Sequence, residues 1–292
     1  GRAYALGLGA RGRTAIRSVD ETLWSAVEKK GFECERFRLH FGAKFNVKLR
    51  EREDGVEPSL LIYQTDLCAA LLDELEGRAN PETASWGAVE VHFDTNITHI
   101  DLASSTISVE GDTVEAVQDQ KGPYDLIVGC DGAKSTVRKA IQQYSPPNTF
   151  SYTQRKLLPG CFKVARLSQM PPLMDPNSVG LVLPESISLG ITAFIEPTVD
   201  GGACILFAGR LSTSDEAPTT DGDSKDVNLG SVLFPRLGAK GESRAPPDTE
   251  TTAALILDQF PLLTGTPRME ELVQQLLSQR TSVADSVKCN TY

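Results

Sequence analysis

The sequence predicts an α/β fold in two textures, a mixed helix–strand portion followed by a mostly antiparallel β layer. Three observations lead there. The apolar run Leu126–Val128 passes into Gly129-Cys130-Asp131-Gly132 and then into a helical pattern from Ser135, which is strand–turn–helix order. Amphipathic helices recur before it, with apolar residues three and four apart. After Pro146-Pro147 the pattern changes to alternating strands separated by polar gaps, as antiparallel sheets require. A chain of 292 residues can bury the core of one large or two moderate domains.

Taken in order, 11–30 places Ile16, Val19, Leu23 and Val27 on one face of a helix or helix pair. Residues 37–50 alternate loosely as strand, with Asp54-Gly55 beside them as a hairpin signal. Leu60–Ile62 is a short apolar run, and 65–75 is a helix with Leu67, Leu71, Leu72 and Leu75 on one face. Strands are expected at 89–93 and 97–102, and a hairpin at 106–117 around Gly111-Asp112. Leu126–Val128 is expected as a buried strand and 135–143 as a helix. Further strands are expected at 160–167, 180–183, 186–195 and 203–208, polar loops at 213–226 and 238–250, and an amphipathic helix at 269–280.

The formal net charge of −10, with basic residues only in short pairs such as Lys29-Lys30, argues against sequence-independent nucleic-acid binding, which needs clustered Lys and Arg. Six scattered cysteines without a C-x-x-C, and three histidines away from them, predict a reducing compartment and no structural metal. No apolar run is long enough to span a membrane. The opening Gly1 and the strand-like close SVKCNTY are read as cuts, so an internal fragment of a longer protein is expected.

Chemistry concentrates at Asp131-Gly132. An acid followed by glycine after a strand suits a nucleotide: glycine admits a ligand close to the backbone, the carboxylate can accept from a ribose hydroxyl, and a helix N-terminus favours phosphate. The plainer reading is a turn with Asp131 as helix cap, and spacing alone leaves both open. Gly7-Leu8-Gly9-Ala10-Arg11-Gly12 also spells G-x-G-x-x-G, with Glu28 near the place of a ribose-binding acid. That fingerprint needs a buried strand before it, and residues 1–6 are short and mixed, so a chance match is expected. Ser135 lacks the G-x-S-x-G setting of a nucleophile.

The segment YDLIVGCDGAKSTVR, residues 124–138, resembles the D-x-[IVL]-[IV]-G-x-D-G-x-x-S-x-x-R motif of the flavoprotein aromatic hydroxylases. Asp125, Gly129, Asp131, Gly132, Ser135 and Arg138 occupy its fixed positions. Residues 1–16, 62–72 and 286–292 resemble further segments of that family, closest to its kynurenine hydroxylases. The resemblance implies an incomplete FAD/NAD(P)-binding Rossmann-type domain (1–35 and 60–145) and a mostly antiparallel β-sheet substrate domain (36–59 and 146–285), with 286–292 returning to the first.

It also implies that Gln64, Ile97, Asp131, Gly132 and Arg138 lie against FAD or NAD(P)H. Gln64 stands where kynurenine hydroxylases have arginine, so it brings hydrogen bonds without charge. Ile97 is alternatively plain core, and Thr65 or Asp66 an ordinary helix cap. Arg38, paired with Arg36 on one strand face, resembles a guanidinium clamp for a substrate carboxylate; the accompanying tyrosine has no counterpart. The implied function is an FAD-dependent, NAD(P)H-using monooxygenase that hydroxylates an aromatic or conjugated small molecule. The flavin would carry the oxygen transfer, so no protein nucleophile is needed. The alternatives are a flavin-dependent dehydrogenase or reductase, or a truncated, non-catalytic piece. Kynurenine hydroxylases are anchored through a C-terminal tail, so mitochondrial or membrane association is a further implication.

Overall fold

The computed structural model describes residues 4–51, 55, 57–78, 89–110, 119–210, 229–234 and 248–290. The chain divides into two compact units, 1–88 with 158–284 and 89–157 with 285–292.

The first unit opens with β1 (Ala5–Leu8), α1 (Ala10–Val19) and α2 (Glu21–Glu28). The expected helix over 11–30 is a pair, broken at Asp20. That residue leaves helical geometry, and its carboxylate accepts from the Thr22 amide at 2.8 Å, an N-cap for the second helix. β2 (Phe32–Cys34) and β5 (Ser59–Tyr63) complete a small antiparallel sheet in the order β1-β5-β2. α3 (Gln64–Arg78) follows directly. Trp24 and Val27, one turn apart, bury against Leu60, Ile62 and Ala70. Arg13 and Arg17 both place their guanidinium groups 4.7 Å from the Trp24 ring, and buried Arg13 is held by Glu33 at 2.9 Å.

The large sheet contains β3 (Arg36–Phe41), β4 (Phe45–Arg50), β9 (Tyr152–Leu167), β10 (Ser178–Leu183), β11 (Thr192–Pro197), β12 (Ala203–Arg210) and β13 (Ser282–Cys289). Its order is β13-β9-β12-β11-β10-β3-β4. Only the β10–β3 pairing is parallel among those described. Alternation decides its two faces. Ala193, Ile195, Ile205 and Phe207 bury beneath α5 (Leu229–Leu233), α6 (Thr249–Gln259) and α7 (Met269–Ser278). The other face turns Phe194, Cys204 and Leu206 towards the small sheet, where they meet Leu61, Tyr63 and Ala5. α7 buries Leu272, Val273 and Leu276, each worth about 1.5–3 kcal/mol. Buried Lys163 donates to the Leu276 carbonyl at 2.7 Å near that helix's C-terminus, where a cation is favoured.

The second unit holds a small antiparallel sheet, β6 (Ile97–Asp101), β7 (Thr106–Val109) and β8 (Asp119–Lys121). α4 (Thr136–Tyr144) packs against β6.

Several expectations are corrected. The hairpin turn after β3 falls at 42–44, where Gly42 has φ +63; Asp54 lies outside the described residues. Residues 89–93 form no strand. Leu126–Val128 is not a buried strand: among the described residues no strand pairs with it, and Leu126 and Val128 are 77% and 70% exposed. An apolar run becomes a buried strand only when neighbours satisfy its backbone and cover its faces. Over 186–195 a short 3₁₀ turn, Ile187–Leu189, precedes β11. The loop expected to reach residue 250 gives way at Asp248, which caps α6 by accepting from the Thr251 amide at 2.7 Å. α5 was not foreseen. The hairpin at 111–117 and the loop at 213–226 lie outside the described residues.

The G-x-G-x-x-G segment is corrected in one respect. β1 runs into it, taking in Gly7 and Leu8, and Gly9 holds the N-cap position of α1. Yet β1 is an edge strand pairing antiparallel with β5, whereas a dinucleotide fingerprint sits in a parallel βαβ unit. Glu28 is the last residue of α2 and so stands on a helix, not at the end of a strand.

Candidate functional site

Residues 129–138 form a tight turn locked to the start of α4. Gly129 packs so closely on the helix that a β-carbon there would lie 2.6 Å from Val137 Cβ, so only glycine fits. Gly132 adopts φ +73 and has nothing within 4 Å of where a β-carbon would be, leaving the backbone open to a ligand. Between them Asp131 folds back, its Oδ2 accepting from the amides of Thr136 at 2.6 Å and Val137 at 3.2 Å. Burial works to raise the pKa of this carboxyl. The Ser135 hydroxyl and the Val137 and Thr136 amides outweigh it, and the pKa falls below 3.8. Ser135 Oγ accepts from the Arg138 amide at 2.9 Å.

Arg138 closes the turn from the other side. Its guanidinium donates to the Gly132 carbonyl at 3.1 Å and to the Ala133 carbonyl, and it stacks over Tyr152 at 4.7 Å. Around the turn lies an open groove of ≈ 740 Å³. Asp131, Gly132 and Arg138 line it together with Val128, Ile141 and Phe150.

Three predicted site residues therefore come together: Asp131, Gly132 and Arg138. The capping reading of Asp131 is visible directly. The first-turn amides that would greet a phosphate are already taken by Asp131 and Ser135, so the site offers a carboxylate, an open glycine and apolar walls rather than a vacant helix N-terminus. Ile97 begins β6 and is exposed, so it is not plain core. Gln64 and Arg38 belong to the first unit. Gln64 opens α3, its amide donating to the Tyr4 carbonyl at 3.0 Å.

Arg38 sits in an ion cluster, 3.4 Å from Glu51 and 3.7 Å from Asp175, while Arg36 contacts Asp175 at 2.9 Å and Glu51 at 3.7 Å. Two carboxylates thus already face two guanidinium groups. Sequence reasoning missed Tyr152 and Phe150; they lie beyond the motif, and no local pattern links them to it. Among the described residues no group of three or more His, Cys, Asp or Glu could hold a metal ion, and no helix is long and apolar enough to cross a membrane.

No known family profile and no curated protein matches the sequence. Solved structures do match the fold. The tetrameric form of 2-methyl-3-hydroxypyridine-5-carboxylic acid oxygenase aligns with 100% of this chain and 62% of its own, at 13% identity and a TM-score of 0.63. Klebsiella pneumoniae HpxO complexed with FAD and uric acid aligns with 100% of this chain and 61% of its own, at 12% identity and a TM-score of 0.53. The chain therefore spans about three-fifths of the length of these structures. At such identities the likeness shows the fold: a mixed α/β architecture with a large, mostly antiparallel sheet.

Proposed function

We propose that this chain is the central part of an FAD-dependent, NAD(P)H-using monooxygenase that hydroxylates an aromatic or conjugated small molecule. The observation that carries the reading is the turn at 129–138. It unites a close-packed glycine, an open glycine and a fixed carboxylate beside a groove of ≈ 740 Å³, within a fold like that of an oxygenase and of HpxO complexed with FAD and uric acid. The residues fit a nucleotide's ribose and a flat ring better than its phosphates. Asp131 can accept from a hydroxyl, Gly132 admits close approach, and Val128, Ile141 and Phe150 offer apolar surface to a ring. Arg138 holds the turn in shape. Flavin, when bound, supplies the oxygen-transfer chemistry itself.

A kynurenine-like substrate is the finer form of this proposal and rests on Arg38. A substrate carboxylate there would have to displace Glu51 or Asp175. Arg38→Ala is expected to raise KM for kynurenine; an unchanged KM removes that form.

The first test is direct titration of the purified chain with FAD, followed by quenching of flavin fluorescence. Saturable binding that weakens in Gly132→Val supports the proposal; a folded chain that never quenches flavin removes cofactor binding from it. NAD(P)H and oxygen consumption coupled to a hydroxylated product then separates a monooxygenase from a flavin dehydrogenase, which would reduce an artificial acceptor without substrate. A second reading, a non-catalytic piece, draws on the occupied first-turn amides of α4 and on the three-fifths coverage of the matched structures.

A further inference from the structure

The seam between the small and large sheets of the first unit contains an acid that no mechanism above uses. Glu196, near the end of β11, alternates with Ile195 and so points away from the helical layer into the seam. It is 8% exposed, and no hydrogen-bond donor among the described residues reaches its carboxylate. One oxygen lies 4.0 Å from where a β-carbon on Gly7 would be, so β1 is laid across it. Its pairing partner on β12 is Cys204, whose sulfur accepts from the Ala5 amide at 3.4 Å.

The other groups facing the seam do not compensate a charge. From β5, Tyr63 is buried, and its hydroxyl is engaged by Thr198. From the turn after β11, Asp200 accepts from Thr198 at 2.5 Å. Cys204 is buried and neutral, its thiol pushed up to about 11 by burial, and Tyr4 is apolar in effect, packed with the same cluster. Lys30 lies at the small hollow beside Tyr63 and Thr198. The cation nearest in register is Arg166 on β9, paired with Cys204, and its guanidinium stacks on Tyr63 at 3.6 Å. An ionised carboxylate that is 8% exposed and reached by no donor among the described residues is costly, by up to several kcal/mol.

We propose that Glu196 is a proton-operated latch: protonated, it lets β1 and the small sheet close on the large one; ionised, it forces β1 to lift. The sign follows from burial. Desolvation pushes the carboxyl up from 4.5 to about 7 in the closed state, and an opened seam returns it to water. Closure is therefore fully supported below about 4.5, weakens as pH rises towards 7, and loses no more above that. Opening is favoured roughly tenfold per pH unit inside that window. The latch does not depend on any cofactor.

Amide hydrogen exchange of residues 5–8, corrected for intrinsic rates, reads the opening. In the wild-type chain protection should fall about tenfold per pH unit between pH 5 and 7 and level off above. Glu196→Gln, which keeps the shape and cannot ionise, should make the profile flat. A flat wild-type profile, or the same slope in Glu196→Gln, overturns the proposal. If that variant does not fold, the wild-type chain with ¹³C-labelled glutamate decides. A carboxyl carbon titrating near 7 in step with the loss of protection supports the latch, and the absence of any such titration refutes it.

Discussion

The two units bury their apolar residues to very different degrees. In the first, Ile205, Phe207, Leu262 and Leu263 lie at 0% exposure between a seven-stranded sheet and three helices. In the second, Leu126 and Val128, which read as equally apolar, are 77% and 70% exposed. Stability and chemistry are thus lodged in different places. The first unit has a closed core to spend its sequence on, whereas the second has a precisely folded turn on a thinly covered scaffold. The difference teaches that a motif can be locally complete, with every cap and glycine contact made, while the hydrophobic layer around it is not.

The comparison is easiest to break at Phe207. It is T-stacked on Phe260 with ring centroids 5.4 Å apart, and Phe207→Ala should lower stability by about 3–5 kcal/mol in chemical denaturation. A loss below about 1 kcal/mol would mean the first unit is loosely packed, since such small effects belong to surface sites.

The next contrast is in pH. Glu196 has a raised pKa, so the first unit should lose stability as pH climbs from 4.5 to about 7. Asp131 has a depressed one, so its contribution is present above 3.8 and disappears as pH falls through its lowered folded value. Protection of β1 should fall as pH rises from 4.5 to about 7 while that of α4 stays level, and protection of α4 should fall below pH 3.8 while that of β1 stays level. Parallel profiles would erase the distinction.

Within the second unit, Arg138→Ala removes two carbonyl contacts and the Tyr152 stack and should cost about 1–2 kcal/mol of local protection in α4. Asp131→Ala removes a cap and should cost ~1 kcal/mol. If it also abolishes flavin quenching at a temperature where α4 stays protected, the carboxylate has a role in binding beyond capping; if only protection changes, it is a cap. The smallest effect is expected at Leu126→Ser, within about 0.5 kcal/mol because the side chain is already in water. A larger loss would show that this segment is covered in solution.

Much of this was legible in the chain. α2, α3 and α7 announce themselves by three-and-four spacing, and the strands after Pro147 by alternation, because both patterns follow from local geometry alone. The locked turn was legible too, since Gly129, Asp131, Ser135 and Arg138 act on one another within ten residues. What escaped depended on distant partners. Leu126–Val128 reads as buried only if neighbours exist. β1 was hidden by its mixed composition and is defined by pairing with β5. Glu196, one residue from the end of its strand, looks like a solvated terminus until β1 is laid over it. Arg38 read as an available clamp because nothing local shows that Asp175 lies across from it.

The guanidinium-flanked Trp24 has an optical consequence. The sequence has two tryptophans, 24 and 86, both before residue 89, so the second unit has none. Trp24 emits from a nearly dry site, 2% exposed, and its spectrum will shift to the red when that site floods. The red shift of Trp24 is therefore a signal of the first unit, separate from the turn at Asp131.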